Sequence, residues 1–519
     1  MRIPGLFHEN TQLCLFKENY FMKINFLLPY CLILILANVG YALNTNNCYI
    51  RPGADLSGCD FSGKILVGKN FSGANITSTN FTNANLKGSI FKGVTSKVPP
   101  NFTGANLEGA DFTGANITSM NFTNLNLKGS IFKGVTSKVP PNFTGANLDG
   151  ADFTGSQINL ANFSNAHLRH NVFVNSSLVG ASFNAFEISD LNFESADLRA
   201  IRIPNLIRIN HSNFNHAILG NINLADVSIF DSSFKQASLN GAKLQKSHIL
   251  RSDFTSADFS NILPNHPIEG SARLDSARIE DSVFTGVNLF GAQMGASRIT
   301  RTNLSSSNLK RANMRYTTLK LVNFESSDFT GANLDEVLIF DSSFKQASLN
   351  GSTLLQSRIL RSNFTSADFS NILPNHPIEG AAMLTLARIE DSVFTGVNLF
   401  GAQMRGSKIT GTNLSSSNLK HADMEYIQLT LVNFESSDFT GAYIKLIADL
   451  VDFKGSTFNE TSFHLRVTNR IDFRNSINLV IHSMSEHEGD CYRDNFALIN
   501  TKIMNSEEWK LCKTWAGNV

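Results

Sequence analysis

Large apolar residues recur at every fifth position along most of the chain. A typical unit is Ala54-Asp55-Leu56-Ser57-Gly58, in which a small residue, an Asp or Asn and a large apolar residue precede two small polar ones. A helix advances by roughly 500° over five residues, so these apolar side chains would point to all of its faces. A flat strand, whose side-chain period is two, would place successive large residues on opposite faces. The spacing therefore predicts a chain that turns within every unit, with Ser, Thr, Gly and Asn at the turns.

A slower period of twenty residues indicates how many units make one coil. The set Ile209, Phe214, Leu219 and Leu224 is followed, twenty residues later, by Ile229, Phe234, Leu239 and Leu244. Side chains that stack from coil to coil have the same neighbours, so four units per coil predict a four-sided tube. Shared ancestry of tandem copies would leave the same period and is the alternative.

These units resemble those of the pentapeptide-repeat family, whose consensus is A(D/N)LXX, and matching units run from Leu56 to Phe463. The resemblance implies an all-β fold, a right-handed four-sided β-helix solenoid. We expect an N-terminal cap over 43–55, the β-helix over 56–467 and a small capping module over 468–519 that could be helical. The repeated residues build the tube and form no chemical site, so the resemblance says little about activity.

Two longer duplications interrupt the five-residue step. The first is offset by 41 residues, and each copy carries Val-Thr-Ser-Lys-Val-Pro-Pro, at Val94–Pro100 and Val135–Pro141. We interpret that stretch as a bulged side rather than a projecting loop. The second pairs Ile229–Leu338 with Ile339–Ala448, and each copy contains one decapeptide, Asn261–Gly270 or Asn371–Gly380. Removing a decapeptide restores the step, which predicts that both are looped out on the same edge of the tube.

Loops on a rigid scaffold often carry binding, so the two decapeptides are candidate binding loops. The alternative is a tolerated insertion that was copied together with its coils. A shared metal ion is excluded because the loops would lie about 24 Å apart, at ~4.8 Å per coil. The candidate residues are Pro264, Asn265, His266, Pro267, Pro374, Asn375, His376 and Pro377.

The beginning of the chain resembles an export signal. Met22-Lys23 precedes the apolar run Phe26–Ala37, and Gly40-Tyr41-Ala42 offers the small residues of a cleavage site. We therefore expect 22–42 to be a signal peptide and 1–21 an upstream extension or a mis-assigned start. The expected location is periplasmic or extracellular. An uncleaved anchor is the alternative, although the apolar run is short for a span of ~20 residues.

Cleavage would leave four cysteines, Cys48, Cys59, Cys491 and Cys512, in an oxidising compartment. Four cysteines allow three pairings. Because a rod separates its two ends, Cys48–Cys59 and Cys491–Cys512 are the pairs that geometry permits. Unpaired thiols remain the alternative.

Charge bounds the possible partners. The whole chain has a formal net charge of +1, and removing 1–42 leaves 41 basic and 41 acidic residues (44 − 3 and 43 − 2). This balance argues against an acidic DNA mimic of the kind found among some pentapeptide-repeat inhibitors of DNA gyrase, and no nucleic-acid partner is expected. Six basic residues cluster in consecutive coils, and either a local positive stripe or, more commonly, an ordinary solvated face would explain them. They are Arg298, Arg301, Lys310, Arg311, Arg315 and Lys320.

Enzyme chemistry has little support in the sequence, which contains no phosphate loop, nucleophile elbow or metal-ligand spacing. The one dense cluster of titratable residues, between His482 and Asp494, is better explained as a polar loop beside the last cap than as an acid–base or metal site. No catalytic residue, cofactor or metal is expected. The leading hypothesis is a bacterial, exported, non-enzymatic scaffold for an unknown protein or surface polymer, with homodimerisation through the C-terminal module as a further option. The alternative is a secreted host-directed effector or enzyme inhibitor whose activity lies in that module, and a topoisomerase inhibitor is less favoured.

Overall fold

The computed structural model describes residues 48–260, 270–370, 381–467, 471–479 and 481–486. In these residues the chain forms a parallel β-solenoid, so the predicted all-β fold is confirmed. A 15-stranded parallel sheet, in the order β1 to β13, β15 and β17, forms one side of it, and β14 pairs with β16. The strands are β1 Glu187–Ser189, β2 Arg208–Asn210, β3 Ser228–Phe230, β4 His248–Leu250, β5 Arg278–Glu280, β6 Arg298–Thr300, β7 Thr318–Lys320, β8 Leu338–Phe340, β9 Arg358–Leu360, β10 Arg388–Glu390, β11 Lys408–Thr410, β12 Asp423–Thr430, β13 Tyr443–Asp449, β14 Val451–Asp452, β15 Ser462–Val467, β16 Ile471–Asp472 and β17 Ile481–Glu486.

Four short bridges per coil give the tube four sides, as the twenty-residue period predicts. In the first coil, successive sides pair with the next coil through Asp55 and Asn75, Asp60 and Asn80, Ile65 and Asn85, and Asn70 and Ile90. Each pairing joins residues twenty apart, so the same unit lies above itself from coil to coil.

The corners explain why Asp or Asn precedes the central apolar residue. At a typical corner, Asp111 Oδ1 accepts hydrogen bonds from the backbone N–H and the hydroxyl of Thr113, at 2.9 and 2.6 Å. The next corner residue, Gly114, has a φ of +66°, which glycine adopts without steric cost. The short acidic side chain therefore holds the turn, and this Asp position is structural.

The core is a continuous column of the fifth-position residues. Phe91 and Phe112 are fully buried and stack with their ring centroids 4.9 Å apart, and Phe112 stacks on Phe132 at 5.1 Å. A buried Phe needs no hydrogen-bond partner, which explains why 41 of the aromatic residues are Phe and only two are Trp. Phe186 departs from the pattern, because its side chain points outward and is 69% exposed.

Coils of unusual length lie where the duplications predict them. The two Val-Thr-Ser-Lys-Val-Pro-Pro stretches occur in 21-residue coils, in which Asn80 pairs with Asn101 and Asn121 with Asn142, so the bulged-side interpretation is confirmed. Two other coils each contain ten residues more than the usual twenty, as shown by the pairing of His248 with Arg278 in β4 and β5 and of Arg358 with Arg388 in β9 and β10. The extra ten residues match the decapeptides. Residues 261–269 and 371–380 themselves lie outside the described residues.

The last coils lose a corner. Tyr426 occupies a left-handed corner in β12 with a φ of 58°, and the register shifts beside it, whereas β13 has no residue that corresponds to it. This coil is one residue shorter than the usual twenty, since Asn433 pairs with Asp452 rather than with Phe453. Two sides therefore merge into one longer strand, and exposed and buried residues alternate along Tyr443–Asp449.

The β-helix also continues past its predicted end. β17 pairs with β15 and β16 with β14, so strands of the stack lie within the segment 468–519 that was assigned to the capping module. The one-residue deletion shifts the apolar step, which makes the sequence pattern look finished before the stack ends. The predicted C-terminal helix lies outside the described residues, as do the signal peptide and both tryptophans. In the described part of the chain, no helix is long and apolar enough to span a membrane.

Candidate functional site

The outward surface of the 15-stranded sheet forms one side of the tube, and we call it the flat face. In each short strand the middle residue points into the core and its two neighbours point outward, as for Arg278, Ile279 and Glu280 in β5. The first residues of successive strands therefore form one outward column. Residues on adjacent strands of this column are register partners, so their side chains lie side by side.

Three basic residues occupy neighbouring positions in this column and form the first basic triad: His248, Arg278 and Arg298. Arg278 is held by Glu280 of its own strand, with Nε to Oε1 at 2.6 Å and Nη2 to Oε2 at 3.2 Å. The hydrogen bond from Arg278 lowers the pKa of Glu280 below its ordinary value, despite partial burial. His248 Nε2 lies 3.9 Å from the same carboxylate.

The second basic triad consists of Arg358, Arg388 and Lys408, again on three neighbouring strands. Each member lies five coils and one decapeptide after its counterpart in the first triad, so the duplication copied the triad. Arg358 Nη2 is 3.6 Å from Glu390, the counterpart of Glu280. Corresponding members are five strands apart, which places the triads about 24 Å apart at ~4.8 Å per strand.

Stability alone does not explain why Arg278 lies beside Arg298 and why Arg388 lies beside Lys408, because like charges directly opposite on neighbouring strands are destabilising. One glutamate accompanies each triad and offsets part of the repulsion. Among the described residues, no ion pair holds Arg298, Arg388 or Lys408. The flat face thus carries uncompensated positive charge, although the mature chain is predicted to be neutral overall.

The six basic residues of the predicted stripe do not lie together. Only Arg298 and Lys320 lie on the flat face. Arg301 lies at a corner and binds Asp281 at 2.6 Å. The remaining three belong to other corners: Lys310 binds Asp328 at 2.9 Å, Arg315 binds Glu336 at 2.7 Å, and the Arg311 guanidinium lies 6.0 Å from the Phe290 ring. The predicted stripe was wrong because about twenty residues carry the chain once around all four sides of the tube. Basic residues that are close in sequence therefore point in different directions.

The predicted binding loops can be located only by their bases. The candidate residues 264–267 and 374–377 lie outside the described residues, and the coil leaves the described part after Ser260 and after Ser370. At the first base, Asn240 Nδ2 donates to Asp258 Oδ2 at 2.8 Å and to Ser260 Oγ at 2.7 Å. Both bases follow the second side after the flat face, so binding by the loops stays a prediction separate from the triads.

Of the predicted cysteine pairs, the structure contains the disulfide between Cys48 and Cys59, which joins the start of the described chain to its first coil. Cys491 and Cys512 lie outside the described residues. Among the residues that the structure describes, no cluster of three His, Cys, Asp or Glu side chains could hold a metal ion.

Sequence reasoning missed the triads although a signal for them exists. A basic residue directly precedes the buried Ile of the column in Arg278-Ile279, Arg298-Ile299, Arg358-Ile359, Arg388-Ile389 and Lys408-Ile409. Reading the chain in steps of twenty, with each decapeptide omitted, would have aligned them.

The chain matches the family model for pentapeptide repeats at residues 54–93, 101–135, 208–245, 232–262, 307–338, 382–415 and 412–445. A pentapeptide repeat protein from the Arabidopsis thaliana thylakoid lumen is 33% identical, over 25% of this chain and 79% of that one, with a TM-score of 0.17. HetL, a pentapeptide repeat protein involved in heterocyst differentiation regulation in the cyanobacterium Nostoc, is 20% identical. The match covers 45% of this chain and 86% of HetL, with a TM-score of 0.18. QnrB1, a plasmid-mediated fluoroquinolone resistance protein, is 15% identical. The match covers 43% of this chain and 89% of QnrB1, again with a TM-score of 0.18.

TM-scores this low mean that the superpositions carry no argument about this chain. No curated protein matches it.

Proposed function

This chain belongs to the pentapeptide-repeat family, and on that premise we propose that it is an exported, non-enzymatic binding scaffold. Its flat face presents the two basic triads to a polyanionic surface polymer. The observation that carries the proposal is the duplication of the triad, which places two sets of positive charge about 24 Å apart on one rigid sheet. Repeated charge suits a repeated ligand, because both sets can bind one polymer chain.

The sign of the charge separates this proposal from its competitors. A DNA mimic requires acidic side chains along the tube, whereas the flat face carries Arg298, Arg388 and Lys408 without an ion pair among the described residues. An effector or inhibitor acting through the C-terminal segment would bind its target without the flat face. A protein partner with an acidic surface would bind the same triads, but it would not depend on the length of a repeating ligand.

We also propose that the chain is exported, which fits this choice of partner, since surface polymers lie outside the cytoplasm. The proposal of export rests on the apolar run Phe26–Ala37 and the small residues up to Ala42. N-terminal sequencing of the chain recovered from fractionated cells tests it. A mature start at Leu43 in the periplasm or medium supports export, and an intact Met1 start in the cytosol contradicts it.

Retention on immobilised heparin, used as a polyanion probe, tests the binding face. The variant Arg298→Gln/Arg388→Gln/Lys408→Gln removes the three charges that lack an ion pair among the described residues. A control, Arg202→Gln/Lys345→Gln, removes two exposed charges from other sides of the tube. We expect the triad variant to elute at clearly lower salt than the wild type and the control to elute close to the wild type. Each lost contact with the polyanion reduces the electrostatic, salt-dependent part of the binding free energy.

The control removes two charges and the triad variant three, so a control shift of about two thirds of the triad shift or more would show that total charge governs retention and would contradict the proposal. Truncation after Glu486 tests the effector alternative, because it keeps every strand that the structure describes. If binding to heparin survives truncation, the described β-helix is sufficient for it. If binding vanishes while circular dichroism still reports a folded β-protein, activity lies in 487–519.

A further inference from the structure

A second kind of site lies where the stack loses its corner. Beside the ring of Tyr426, the missing residue in β13 leaves an open recess of about 400 Å³ on the surface. Outward side chains of three successive strands line it: Gln428 of β12, Lys445 and Ile447 of β13, and His464 and Arg466 of β15. This recess shares no residue with either basic triad.

The recess follows from the one-residue deletion. With the corner removed, residues 443–449 alternate like an ordinary strand, so Lys445 and Ile447 point outward together while Leu446 points into the core. The register sets Lys445 beside His464 and Ile447 beside Arg466. Side chains that a corner would turn onto two different sides therefore share one surface.

Contacts within the described residues hold the wall of the recess in place. Lys445 Nζ lies 4.4 Å from the centroid of the Tyr426 ring and donates to its hydroxyl at 3.3 Å. The Arg405 guanidinium lies 5.4 Å from the same centroid and binds Glu425 at 3.0 Å. Cations held over an aromatic face are stabilised there, so these contacts favour a position of the Lys445 ammonium beside the Tyr426 ring.

The charge of the lining selects the ligand. Lys445 and Arg466 are both cationic, none of the described residues that line the recess is acidic, and no ion pair in the described structure involves either of the two. Gln428 and the Tyr426 hydroxyl add neutral polar groups. Concave sites with a few converging polar groups are typical of small-molecule binding, and Arg and Lys are the usual partners of phosphate and carboxylate groups.

We propose that this recess binds a small molecule through an oxyanion, a phosphate or a carboxylate, which lies between Lys445 and Arg466. The duplication provides an internal comparison. Tyr316 is the counterpart of Tyr426 in the first copy and also has an arginine beside it, Arg315, at 4.6 Å. There the next coil keeps its corner residue, Glu336, with a φ of 54°, and this acidic side chain binds Arg315. In the first copy an acidic side chain therefore lies beside the equivalent tyrosine and pairs with its neighbouring arginine.

Isothermal titration calorimetry of the full chain with phenyl phosphate, benzoate and benzyl alcohol tests the assignment. We expect one or both anions to bind, with the stronger identifying the preferred oxyanion, and neutral benzyl alcohol to bind at least about tenfold more weakly. Lys445→Gln and Arg466→Gln, each at an outward position, should each weaken anion binding by about tenfold or more. Arg315→Gln, at the equivalent tyrosine, and Lys345→Gln, an exposed charge on another side of the tube, are the controls, and each should leave it within about twofold.

The proposal is overturned if neither anion binds, if benzyl alcohol binds as well as the anions, or if the controls weaken binding as much as the recess variants. Should Arg466→Gln fail to fold, Lys445→Gln alone decides, since Lys445 is exposed. Loss of heparin retention in the triad variant with intact phenyl phosphate binding would leave both proposals standing. A wild type that binds phenyl phosphate but not heparin would refute only the proposed function.

Discussion

Arg278 and Arg298 are register partners on the adjacent strands β5 and β6, so two positive charges lie side by side on the flat face. Three residues further along the same coils, Asp281 and Arg301 form an ion pair of opposite charges at 2.6 Å. The chain thus places complementary charges at the corner and like charges on the face. The fold does not require the like pair, which favours a binding role for it.

Removing the like charge should not destabilise the tube. For Arg298→Gln we expect the urea midpoint to stay unchanged or to rise, because repulsion from Arg278 is relieved. The corresponding gain in the free energy of unfolding should be no more than about 0.5 kcal/mol. Arg301→Gln, which breaks a corner ion pair, should lower the midpoint. A larger loss for Arg298→Gln than for Arg301→Gln would show that Arg298 is a structural residue.

The corner ion pair predicts a defined dependence on pH. The hydrogen bond from Arg301 lowers the pKa of Asp281 below its ordinary value of 3.8. A lowered pKa means that the pair stabilises the folded state above about pH 4 and that this contribution is lost as the pH falls through the lowered value. The difference in urea midpoint between wild type and Arg301→Gln should therefore be present near pH 7 and vanish near pH 2. A difference that persists in acid would contradict the assignment.

The phenylalanine column predicts a large and local loss of stability. Phe112→Ala should cost about 3–5 kcal/mol, because the ring is fully buried between Phe91 and Phe132 and its removal leaves a cavity. Phe186→Ala, at a site that is 69% exposed, should stay within about 0.5 kcal/mol. Hydrogen exchange can follow both variants coil by coil, since a solenoid need not unfold in one step. Equal effects would mean that the column does not hold the coils together.

The core could be predicted from the sequence because inward positions follow a rule that every coil obeys. Ile229, Ile249 and Ile279 stack as the twenty-residue step requires once one decapeptide is set aside. Outward positions obey no such rule, since solvent accepts many side chains. Their arrangement depends on the exact register, and any extra residue in a longer coil shifts every later alignment.

Sequence reasoning missed the recess beside Tyr426 for a related reason. After Ile444 the five-residue step fails, and that failure is equally compatible with a cap or with the loss of one corner. Only the pairing of β13 with β15 shows that the stack continues. The alternation of Tyr443, Lys445 and Ile447 was a usable signal, because period two indicates a longer strand.

The disulfide between Cys48 and Cys59 should stabilise the first coil alone. Closing a loop of this length is worth about 2–3 kcal/mol in the chain-entropy description. Cys48→Ser should therefore speed amide exchange in the first coil, including the N–H of Leu56, which donates to the Asn75 carbonyl at 2.8 Å. Amides of the later coils, such as that of Phe394, should exchange as in the wild type. Faster exchange throughout the chain would contradict a local role.

Affinity for heparin oligosaccharides of defined length tests the central claim most directly, that the two basic triads act together. The wild type should gain about tenfold or more in affinity when the oligosaccharide becomes long enough to span ~24 Å, because the second contact then becomes intramolecular. Arg298→Gln should reduce this gain in affinity by weakening the first triad, and Arg388→Gln/Lys408→Gln should reduce the gain by weakening the second triad. A smooth rise with length that is the same in the wild type and both variants would contradict the account.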